Sequence, residues 1–569
     1  MFFLSSRTTL FLLFSLSWFS NLATLFADAR AIPVNGLLRH VQPRVLRELS
    51  SRDVDHSQSQ SSSKFRQLKA SGPNGCVVEP YEVTVALEEF PPFDQTKATI
   101  FRYRQQQSVN LGSWFVHEDW MTQSLFKCAA GKKVSELDIA QGWGSQTNAR
   151  ALLERHWDTF INQSDFNYLA SIGINTVRMP IGYWNLGPEF CKGTPFESVA
   201  NVYTGSWPRV VRAINMANEA GIGVLVDLHG AVGSQNGQAH SGISDGVTGL
   251  FDSPANIDKT MKVLTFLTKQ LASVTNVVGI QMLNEPKGVD SLEDFYTKAI
   301  STMRAVSPAA QSLPLYLHDA FDLNRFSKYV ASRPDFVVQD HHSYFVFGAQ
   351  DQRESASQHT SNIKGSVAKS LATASQKQHQ NLVVDEWSCA LTPGSIGKES
   401  NPEQAQKNFC SAQLSSYTRA AAGWSFWAYR KEECNNDPGW CFTAAVGKNL
   451  PETFFSYGPS SSSSASSSPI KTLQSTASQT LNPGPRRRSL IKDRLHGRRA
   501  NTSKGYSDGF QTATIFASEG MSKLGFTGQY IHDSLAKLGK SVDADTYRND
   551  FMKGLADGEA HVQAQMQNN

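Results

Sequence analysis

The chain has 569 residues and carries 54 basic against 50 acidic side chains, a formal net charge of +4. Much of that excess lies in one short run between residues 486 and 499, and the rest of the chain has no basic face that favours nucleic-acid binding. The length exceeds one average domain, yet a single α/β barrel with appended segments uses such a length without difficulty. We therefore expect one main domain and no nucleic-acid partner.

Residues 1–31 have the pattern of a secretory signal peptide. Arg7 precedes an apolar stretch at 10–26, and the small residues Ala27 and Ala29 follow it. The alternative is a membrane anchor, which the short length of the stretch disfavours. No later segment has 18 uninterrupted apolar residues. The sequence thus predicts a secreted protein that is not inserted in a membrane once the signal is removed.

Two polar segments flank the central part of the chain. Residues 32–74 and 458–500 are rich in serine and poor in large apolar side chains, so we expect a disordered propeptide or stalk and a disordered linker. The basic pairs near the end of the linker are either processing sites or solvated charge. Residues 501–569 contain helix-compatible stretches and form either a helical cap on the main domain or a separable appendage.

The central region, residues 75–457, alternates apolar runs with segments of helical period. This order predicts a (β/α)8 TIM barrel in the α/β class, because parallel strands need crossover connections. A doubly wound open sheet is the alternative. The predicted strands are Val109–Phe115, Thr176–Ile181, Gly223–His229, Val277–Asn284, Leu313–His318, Phe336–His342, Leu382–Trp387 and Gly423–Tyr429. The predicted helices are Arg150–Ile172, Trp207–Ala220, Ile257–Val274, Leu292–Ala305, Ile363–Gln378 and Glu403–Ala420.

The seven cysteines suit a secreted protein with disulfide bonds, and the odd number leaves at least one thiol unpaired. Cys434 and Cys441 flank a short turn that a local bridge could close, but spacing does not fix the other pairs. No Cys/His spacing resembles a zinc site, so we expect no metal and no cofactor. Asn162 and Asn501 each begin a glycosylation sequon.

Unusual polar residues end the predicted strands. In a (β/α)8 barrel the loops after the strands form one mouth, where the catalytic groups lie. Two glutamates that each close a long apolar run are hard to explain as helix caps, although a single charged residue there would be ordinary. The strand-end residues are Arg178, His229, Asn284, Glu285, His342, Tyr344 and Glu386.

Two carboxylates at one mouth suit cleavage of a glycosidic bond. We predict Glu386 as the nucleophile and Glu285 as the acid/base that protonates the leaving oxygen and later deprotonates water. Arg178 and Tyr344 can hold Glu386 ionised, whereas Glu285 needs surroundings that raise its pKa. Asn284 can bind a sugar 2-hydroxyl. Trp427 can form the floor of the site, unless it is only a core aromatic of the barrel.

Six ordered segments across residues 105–447 resemble glycoside hydrolase family five, and within it the fungal exo-β-1,3-glucanases. The segments are VNLGSWFVHE (109–118), NTVRMPIGYW (175–184), DLHGAVGSQNG (227–237), LNEP (283–286), HHSYFVF (341–347) and DEWS (385–388). The resemblance implies an enzyme that releases glucose from a β-glucan polysaccharide or oligosaccharide. Together with the signal peptide, we expect an extracellular or cell-wall location, and we expect a monomer.

The resemblance also assigns residues. It implies Glu285 as proton donor and Glu386 as nucleophile, with supporting positions at the first subsite for Arg178, His229, Asn284, His342, Tyr344 and Trp427. Glu118 occupies the position that binds the terminal glucose. Phe347 matches one ring of a phenylalanine clamp on the second glucose. Gln238 stands where the other ring is usual, and this departure weakens the assignment to β-1,3-glucan.

Two other functions remain open at this stage. One is hydrolysis of a different β-glucoside, such as β-1,6-glucan or a glycolipid headgroup, on the same barrel. The other is a wall-binding, lectin-like protein on an inactive barrel. Retention of both Glu285 and Glu386 argues against the second function, because a binding protein does not need two facing carboxylates.

Overall fold

The computed structural model describes residues 76–458, 503–539 and 542–567. The predicted segments 1–31 and 32–74, and nearly all of 458–500, lie outside these residues, so their properties stay predictions. Within the described ranges no helix is long and apolar enough to cross a bilayer.

Eight parallel strands form a closed barrel in sequence order, which confirms the predicted fold class. The barrel closes where β1 pairs with β8, in the register Gln106 to Gly423 and Val109 to Phe426. This pairing excludes the open doubly wound sheet. The strands are β1 Gln106–Asn110, β2 Thr176–Gly182, β3 Gly223–Gly230, β4 Val277–Gln281, β5 Leu315–His318, β6 Val337–Ser343, β7 Leu382–Trp387 and β8 Gly423–Phe426.

Helices surround the barrel and bury an apolar stripe against it. In helix Ser206–Glu219, for example, the buried side chains Val210, Val211, Ile214 and Ala217 recur at three- and four-residue spacing. The α-helices that precede, connect or follow the strands are Gln95–Tyr103, Gln123–Phe126, Glu136–Gln141, Gln146–Thr159, Gln163–Ser171, Pro188–Cys191, Ser206–Glu219, Pro254–Leu271, Leu292–Arg304, Leu323–Ala331, Ala349–Arg353, Ala356–Asn362, Ala368–Lys377, Pro393–Ile396, Pro402–Ala420 and Phe442–Ala445.

The predicted helix Arg150–Ile172 is two helices, Gln146–Thr159 and Gln163–Ser171. Asn162 begins the second one, because its side chain accepts a hydrogen bond from the Ser164 amide at 2.9 Å. In the opposite direction, the Asp165 side chain accepts a hydrogen bond from the Asn162 backbone amide. This reciprocal cap satisfies amide groups that a continuous helix would bond internally, and so it separates the two helices.

The first strand lies earlier in the chain than predicted, at Gln106–Asn110 rather than Val109–Phe115. The apolar run that suggested a strand turns at Ser113, whose φ of 57° is left-handed. Trp114 and Phe115 pack beyond the strand in the main core. The strand itself is polar yet fully buried, because Gln106 and Asn110 form hydrogen bonds inside the barrel.

Three disulfides join Cys76 to Cys128, Cys389 to Cys410, and Cys434 to Cys441. The last is the local bridge that the sequence suggested. Cys191 is a free, buried thiol, and burial raises its pKa to about 12. It is therefore the unpaired cysteine that the odd number required.

The C-terminal helices Lys504–Ser518, Thr527–Leu538 and Ala544–Gln567 follow the barrel. The segment before the second helix contacts the N-terminal end of the barrel. Leu524 forms an isolated antiparallel β-bridge with Arg104, and the Lys523 carbonyl accepts a hydrogen bond from the Gln105 amide at 2.7 Å. Phe526 is fully buried among side chains from the beginnings of five strands, including Tyr316. These contacts correspond to the helical cap rather than to a free appendage.

Candidate active site

The predicted site residues lie at one end of the barrel. His229, His342 and Glu386 lie near the carboxyl ends of β3, β6 and β7, and Asn284 and Glu285 follow β4. Arg178 lies within β2 rather than at its end, where it pairs with Asn110, the last residue of β1. Parallel strands direct all these ends to the same mouth. The loops after β1, β6 and β8 contribute the remaining predicted residues, Glu118, Tyr344, Phe347 and Trp427.

Glu386 is almost fully buried and receives hydrogen bonds on both carboxyl oxygens. Arg178 Nη1 donates to Oε1 at 2.9 Å, and the Tyr344 hydroxyl donates to Oε2 at 2.8 Å. Burial raises the pKa of Glu386, while the positive charges of His342 and Arg178 oppose that rise. The two donors are the ones that the sequence assigned to this carboxyl group, and they favour its charged form.

Arg178 is held by several acceptors at once. Its Nε donates to Gln281 at 2.8 Å, Nη1 to Asn110 at 2.9 Å and Nη2 to Asn284 at 2.7 Å. Asp227 also lies 3.1 Å from Nη2. Because every arm of the guanidinium is fixed, Arg178 sets the position of the Glu386 carboxyl group and of the Asn284 amide together.

Glu285 lies where the backbone is strained and the side chain is charged. Its φ is 42°, in the left-handed region that non-glycine residues rarely adopt, and the Asn236 side chain donates to its carbonyl at 3.1 Å. The side chain is 21% exposed, so one part of it faces the cleft. Strain at this position is typical of functional groups that the surroundings hold in place.

The expected rise in the pKa of Glu285 is not what the structure gives. Burial raises the pKa, but the hydrogen bond and charge of His342 outweigh it and hold the pKa well below its usual range. His342 Nδ1 lies 2.7 Å from Glu285 Oε1, and His342 Nε2 lies 3.0 Å from Asp340. Burial lowers the pKa of His342, but Asp340 and the two glutamates raise it well above its ordinary value. Glu285 and His342 therefore share one proton that rests on the imidazole.

His229 connects the floor of the site to Asn284. Its Nδ1 is 2.7 Å from Asp227, its Nε2 is 3.3 Å from the Asn284 amide nitrogen, and its ring is parallel to that of Trp427 at 5.8 Å. The Trp427 side chain packs with Met121 and Ala428, and the peptide bond between Trp427 and Ala428 is cis. Trp427 is thus part of a cluster beside the mouth rather than of the main barrel core.

Glu118 lies half-buried at the other side of the mouth. Trp120 Nε1 donates to its Oε2 at 2.8 Å, and Ser113 accepts from its backbone amide at 3.1 Å. Burial raises the pKa of Glu118 to about 7, against the lowering influence of His229. The carboxyl group can therefore be neutral or charged near neutral pH, and it can donate as well as accept hydrogen bonds.

Aromatic rings extend from this carboxyl group along the rim. Trp440 lies 5.3 Å from Trp120, 5.6 Å from Tyr344 and 6.3 Å from Phe347, measured between ring centroids. Phe347 is 74% exposed, so its ring is free to contact a ligand. Gln238 is exposed and supplies no ring.

The sequence did not identify several residues that complete the site. Asp227 and Asp340 lie two positions before His229 and His342 on the same strands, and a spacing of two places both side chains on one face. That spacing was a signal for them. Asn110 gave none, since the strand that carries it was misplaced. The other residues missed are Gln281, His240, Trp120, Trp440 and the 59% exposed Phe321, whose ring is 5.0 Å from that of His318.

One group of side chains in the described part of the chain has metal-ligand geometry. Ligand atoms of Glu285, His318 and His342 lie within 4.8 Å of one another. However, both ring nitrogens of His342 already contact carboxylates, and His318 Nδ1 accepts a hydrogen bond from the Ala320 amide. The arrangement suits transfer of a proton better than binding of a cation.

Comparison with known families decides between the classes of protein that this geometry allows. Residues 138–433 match the model of the cellulase family, described as glycosyl hydrolase family 5. The chain belongs to glycosyl hydrolase family 5. It is therefore a glycoside hydrolase, and an inactive wall-binding barrel is not supported.

Curated relatives of this family 5 enzyme include fungal glucan 1,3-beta-glucosidases. Glucan 1,3-beta-glucosidase 3 of Schizosaccharomyces pombe is 35% identical over 345 residues, which cover 59% of this chain and 71% of the relative. Probable glucan 1,3-beta-glucosidase A of Aspergillus niger is 32% identical over 388 residues, covering 61% and 87%. A rutinosidase structure from Aspergillus niger has a TM-score of 0.50 at 19% identity, covering 60% of this chain and 96% of that one, and at that identity it supports the fold alone.

Proposed function

We propose that this family 5 enzyme is a secreted, retaining glycosidase that releases glucose from the ends of β-1,3-glucan. The observation that carries the proposal is the bridge of His342 between the two glutamates. His342 Nδ1 is 2.7 Å from Glu285 Oε1 and 3.4 Å from Glu386 Oε2. These oxygens are therefore at most about 6 Å apart, which favours the short separation of a retaining pair over the wider gap of an inverting one.

Glu386 attacks the anomeric carbon while Glu285 protonates the departing oxygen, and the bond between carbon and that oxygen breaks. In the second half, Glu285 takes a proton from water, and the water oxygen replaces Glu386 at the same carbon. The Asn284 amide is 3.3 Å from His229 and holds Arg178, so it is placed to hydrogen-bond the sugar 2-hydroxyl. The net configuration at the anomeric carbon is retained.

The acidic proton belongs to the pair of Glu285 and His342. In the free enzyme it rests on His342 Nδ1, 2.7 Å from the carboxylate. Glu285 must take up this proton before it can act as the acid, and Asp340, 3.0 Å from the other ring nitrogen, stabilises the imidazole. The apparent pKa on the acidic limb of a pH–rate profile should therefore belong to the pair of Glu285 and His342 and not to one residue.

Two features support action at chain ends. The half-buried Glu118 can satisfy hydroxyl groups of a terminal glucose, and the curated relatives are named as glucan 1,3-beta-glucosidases. The exposed Gln238 gives the second glucose no aromatic face opposite Phe347. We therefore also propose that long glucan is bound poorly compared with short oligomers or aryl β-glucosides, and the latter are the second candidate substrates.

Secretion is supported by the pattern at residues 1–31 and by three disulfides, which persist in oxidising compartments. An extracellular or cell-wall location follows from that route and from a glucan substrate. We propose a monomer, since the mouth of the barrel is built from this chain's own strands.

Product analysis on laminarin tests the proposal. Glucose alone, released with the β configuration, is expected, whereas a ladder of oligomers or an inverted product would contradict it. Glu386→Ala should remove turnover of every glucoside. Glu285→Ala should retain much of the turnover of 4-nitrophenyl β-glucoside, whose leaving group needs little acid help. Glu452→Ala, at an exposed position outside the site, is the matched control and should act like the wild type.

A further inference from the structure

A third histidine approaches Glu285. His240 lies in the short 3-10 turn Ala239–Ser241, in the loop after β3. Its Nε2 is 3.8 Å from Glu285 Oε2, and its ring is 5.3 Å from that of His229. The side chain is 20% exposed, so the ring contacts the site on one face and the cleft on the other.

The loop that carries His240 is joined to the segment that carries Glu285. Gln235 Nε2 donates to the carbonyls of His229 and Asn284, and Asn236 Nδ2 donates to the Glu285 carbonyl. Ser241, next to His240, is 2.6 Å from Ser234 between hydroxyl oxygens. These contacts hold the backbone of the loop that carries His240 against the segment that carries Glu285.

The two oxygens of Glu285 have different surroundings. Oε1 is 2.7 Å from His342, whereas Oε2 is the oxygen that faces His240 at 3.8 Å. Because Oε1 is occupied, a leaving oxygen must approach Oε2. His240 then lies beside the group that departs, and beside the water or alcohol that later replaces it.

His240 also has the hydrogen-bonding capacity that such a position needs. Among the described residues, no side chain or backbone group forms a hydrogen bond with its ring within the usual distance; its nearest charged neighbour is Glu285. Burial and then the neighbouring His229 lower the pKa of His240 to about 4. A neutral imidazole has one donor and one acceptor nitrogen, which together match a sugar hydroxyl.

We propose that His240 determines specificity on the leaving-group side, by hydrogen-bonding a hydroxyl of the sugar or polyol that Glu285 protonates. This rests on the proposed function. It distinguishes leaving groups that carry a hydroxyl beside the glycosidic oxygen from aryl leaving groups that carry none. His240 is a binding residue in this role, and it exchanges no proton with the substrate.

Specificity constants on two substrate classes test the proposal. The disaccharide is the one that the wild type hydrolyses best among laminaribiose, gentiobiose and cellobiose, and the aryl substrate is 4-nitrophenyl β-glucoside. For His240→Leu we expect a fall of roughly five- to fifty-fold in kcat/KM on the disaccharide and less than two-fold on the aryl glucoside. His240→Gln retains a donor and an acceptor and should recover most of the loss.

The control is His561→Ala, at an exposed position in the last helix, which should leave both constants unchanged. Equal losses on the two substrates for His240→Leu, or no loss on the disaccharide, would overturn the role of His240. If Gln fails to recover activity while its melting temperature is unchanged, the hydrogen-bonding role is also wrong. A wild type that hydrolyses no β-glucoside would instead overturn the proposed function itself.

Discussion

At the scale of single residues, Glu118, the residue proposed to bind a chain end, also affects the stability of the fold. Burial raises its pKa from 4.5 to about 7, so the folded protein holds this proton more tightly than the unfolded chain does. The stability that this provides is complete below about pH 4.5 and is lost as the pH rises through about 7. The Glu118 carboxyl group thus destabilises the free enzyme at alkaline pH.

Glu118→Gln should remove that loss, because an amide does not ionise. We expect the variant and the wild type to unfold at similar urea concentrations at pH 4.5, and the variant to be more stable by about 1–3 kcal/mol at pH 8. Urea unfolding at the two pH values measures this. Glu89→Gln, at an exposed position, should show no such dependence. An equal difference at both pH values would contradict the assigned pKa.

The same substitution and one at Gln238 test recognition of the glucan. Glu118→Gln should lower kcat/KM on laminari-oligosaccharides by roughly five-fold or more, since a terminal glucose loses one of the two carboxyl oxygens that can bond its hydroxyl groups. Gln238→Phe should raise kcat/KM on laminarin by restoring a second ring opposite Phe347 and should leave 4-nitrophenyl β-glucoside unchanged. Changes below two-fold in both variants would show that neither position affects chain-end recognition.

The sequence predicted single residues best where a polar group ends an apolar strand. Glu285 and Glu386 were predicted in this way, and the structure brings both side chains to His342. Their other contacts were predicted only in part. The pKa of Glu285 was expected to be raised because burial was considered without the cation of His342. Contacts such as those of Asn110 and His240 join distant parts of the chain, and no spacing within one segment indicates them.

At the scale of elements, the strands were predicted well where burial on both faces makes them continuously apolar, as in β7 Leu382–Trp387. The first strand was mispredicted because it is not continuously apolar. Its polar side chains are buried in the interior of the barrel beneath the site. Residues 501–569 were predicted to contain helices, but the bounds of helix Lys504–Ser518 were not, because its glycines, Gly505 and Gly509, lower helix propensity. Those glycines have a packing role that only the tertiary structure shows.

Helices Lys504–Ser518 and Ala544–Gln567 approach each other so closely that a side chain cannot fit at the contact. A Cβ atom on Gly554 would lie 2.0 Å from the Tyr506 carbonyl oxygen, and one on Gly509 would lie 2.1 Å from that of Phe551. Gly554→Ala should therefore push the helices apart and lower the stability of the C-terminal segment by about 1–3 kcal/mol. Hydrogen exchange of amides in these helices is the measurement.

Gly365→Ala is the matched control for this change. Gly365 lies in the π-helical turn Ile363–Val367, and outside its own turn a Cβ atom there would meet no atom within 4 Å. Alanine should be neutral or slightly stabilising at that position, because it lowers the entropy of the unfolded chain. Similar exchange rates in Gly554→Ala and the wild type would contradict close helix contact.

At the scale of the whole molecule, the C-terminal segment completes the end of the barrel opposite the site. Besides Phe526, the Tyr103 hydroxyl contacts Asp533, and Asn381 donates to Gln529 at 2.7 Å. The separable appendage, one of the two alternatives that the sequence left open, would let residues 75–457 fold independently. The contacts argue otherwise, because a chain that ends at 458 exposes a ring of apolar side chains at the beginnings of the strands.

Phe526→Ala tests this without removing the segment. The ring is fully buried among Tyr316, Phe336 and their neighbours, so its loss leaves a cavity that should cost about 3–5 kcal/mol of stability. The site lies at the opposite end of the strands, and kcat and KM at a temperature below the transition should therefore stay within two-fold of the wild type. Thermal unfolding and initial rates on 4-nitrophenyl β-glucoside measure the two effects.

Met552→Ala, in the last helix at a side chain that is 46% exposed, should change neither the melting temperature nor the rates. An unchanged melting temperature for Phe526→Ala would mean that the segment contributes nothing to the barrel, and the chain ending at 458 should then fold by itself.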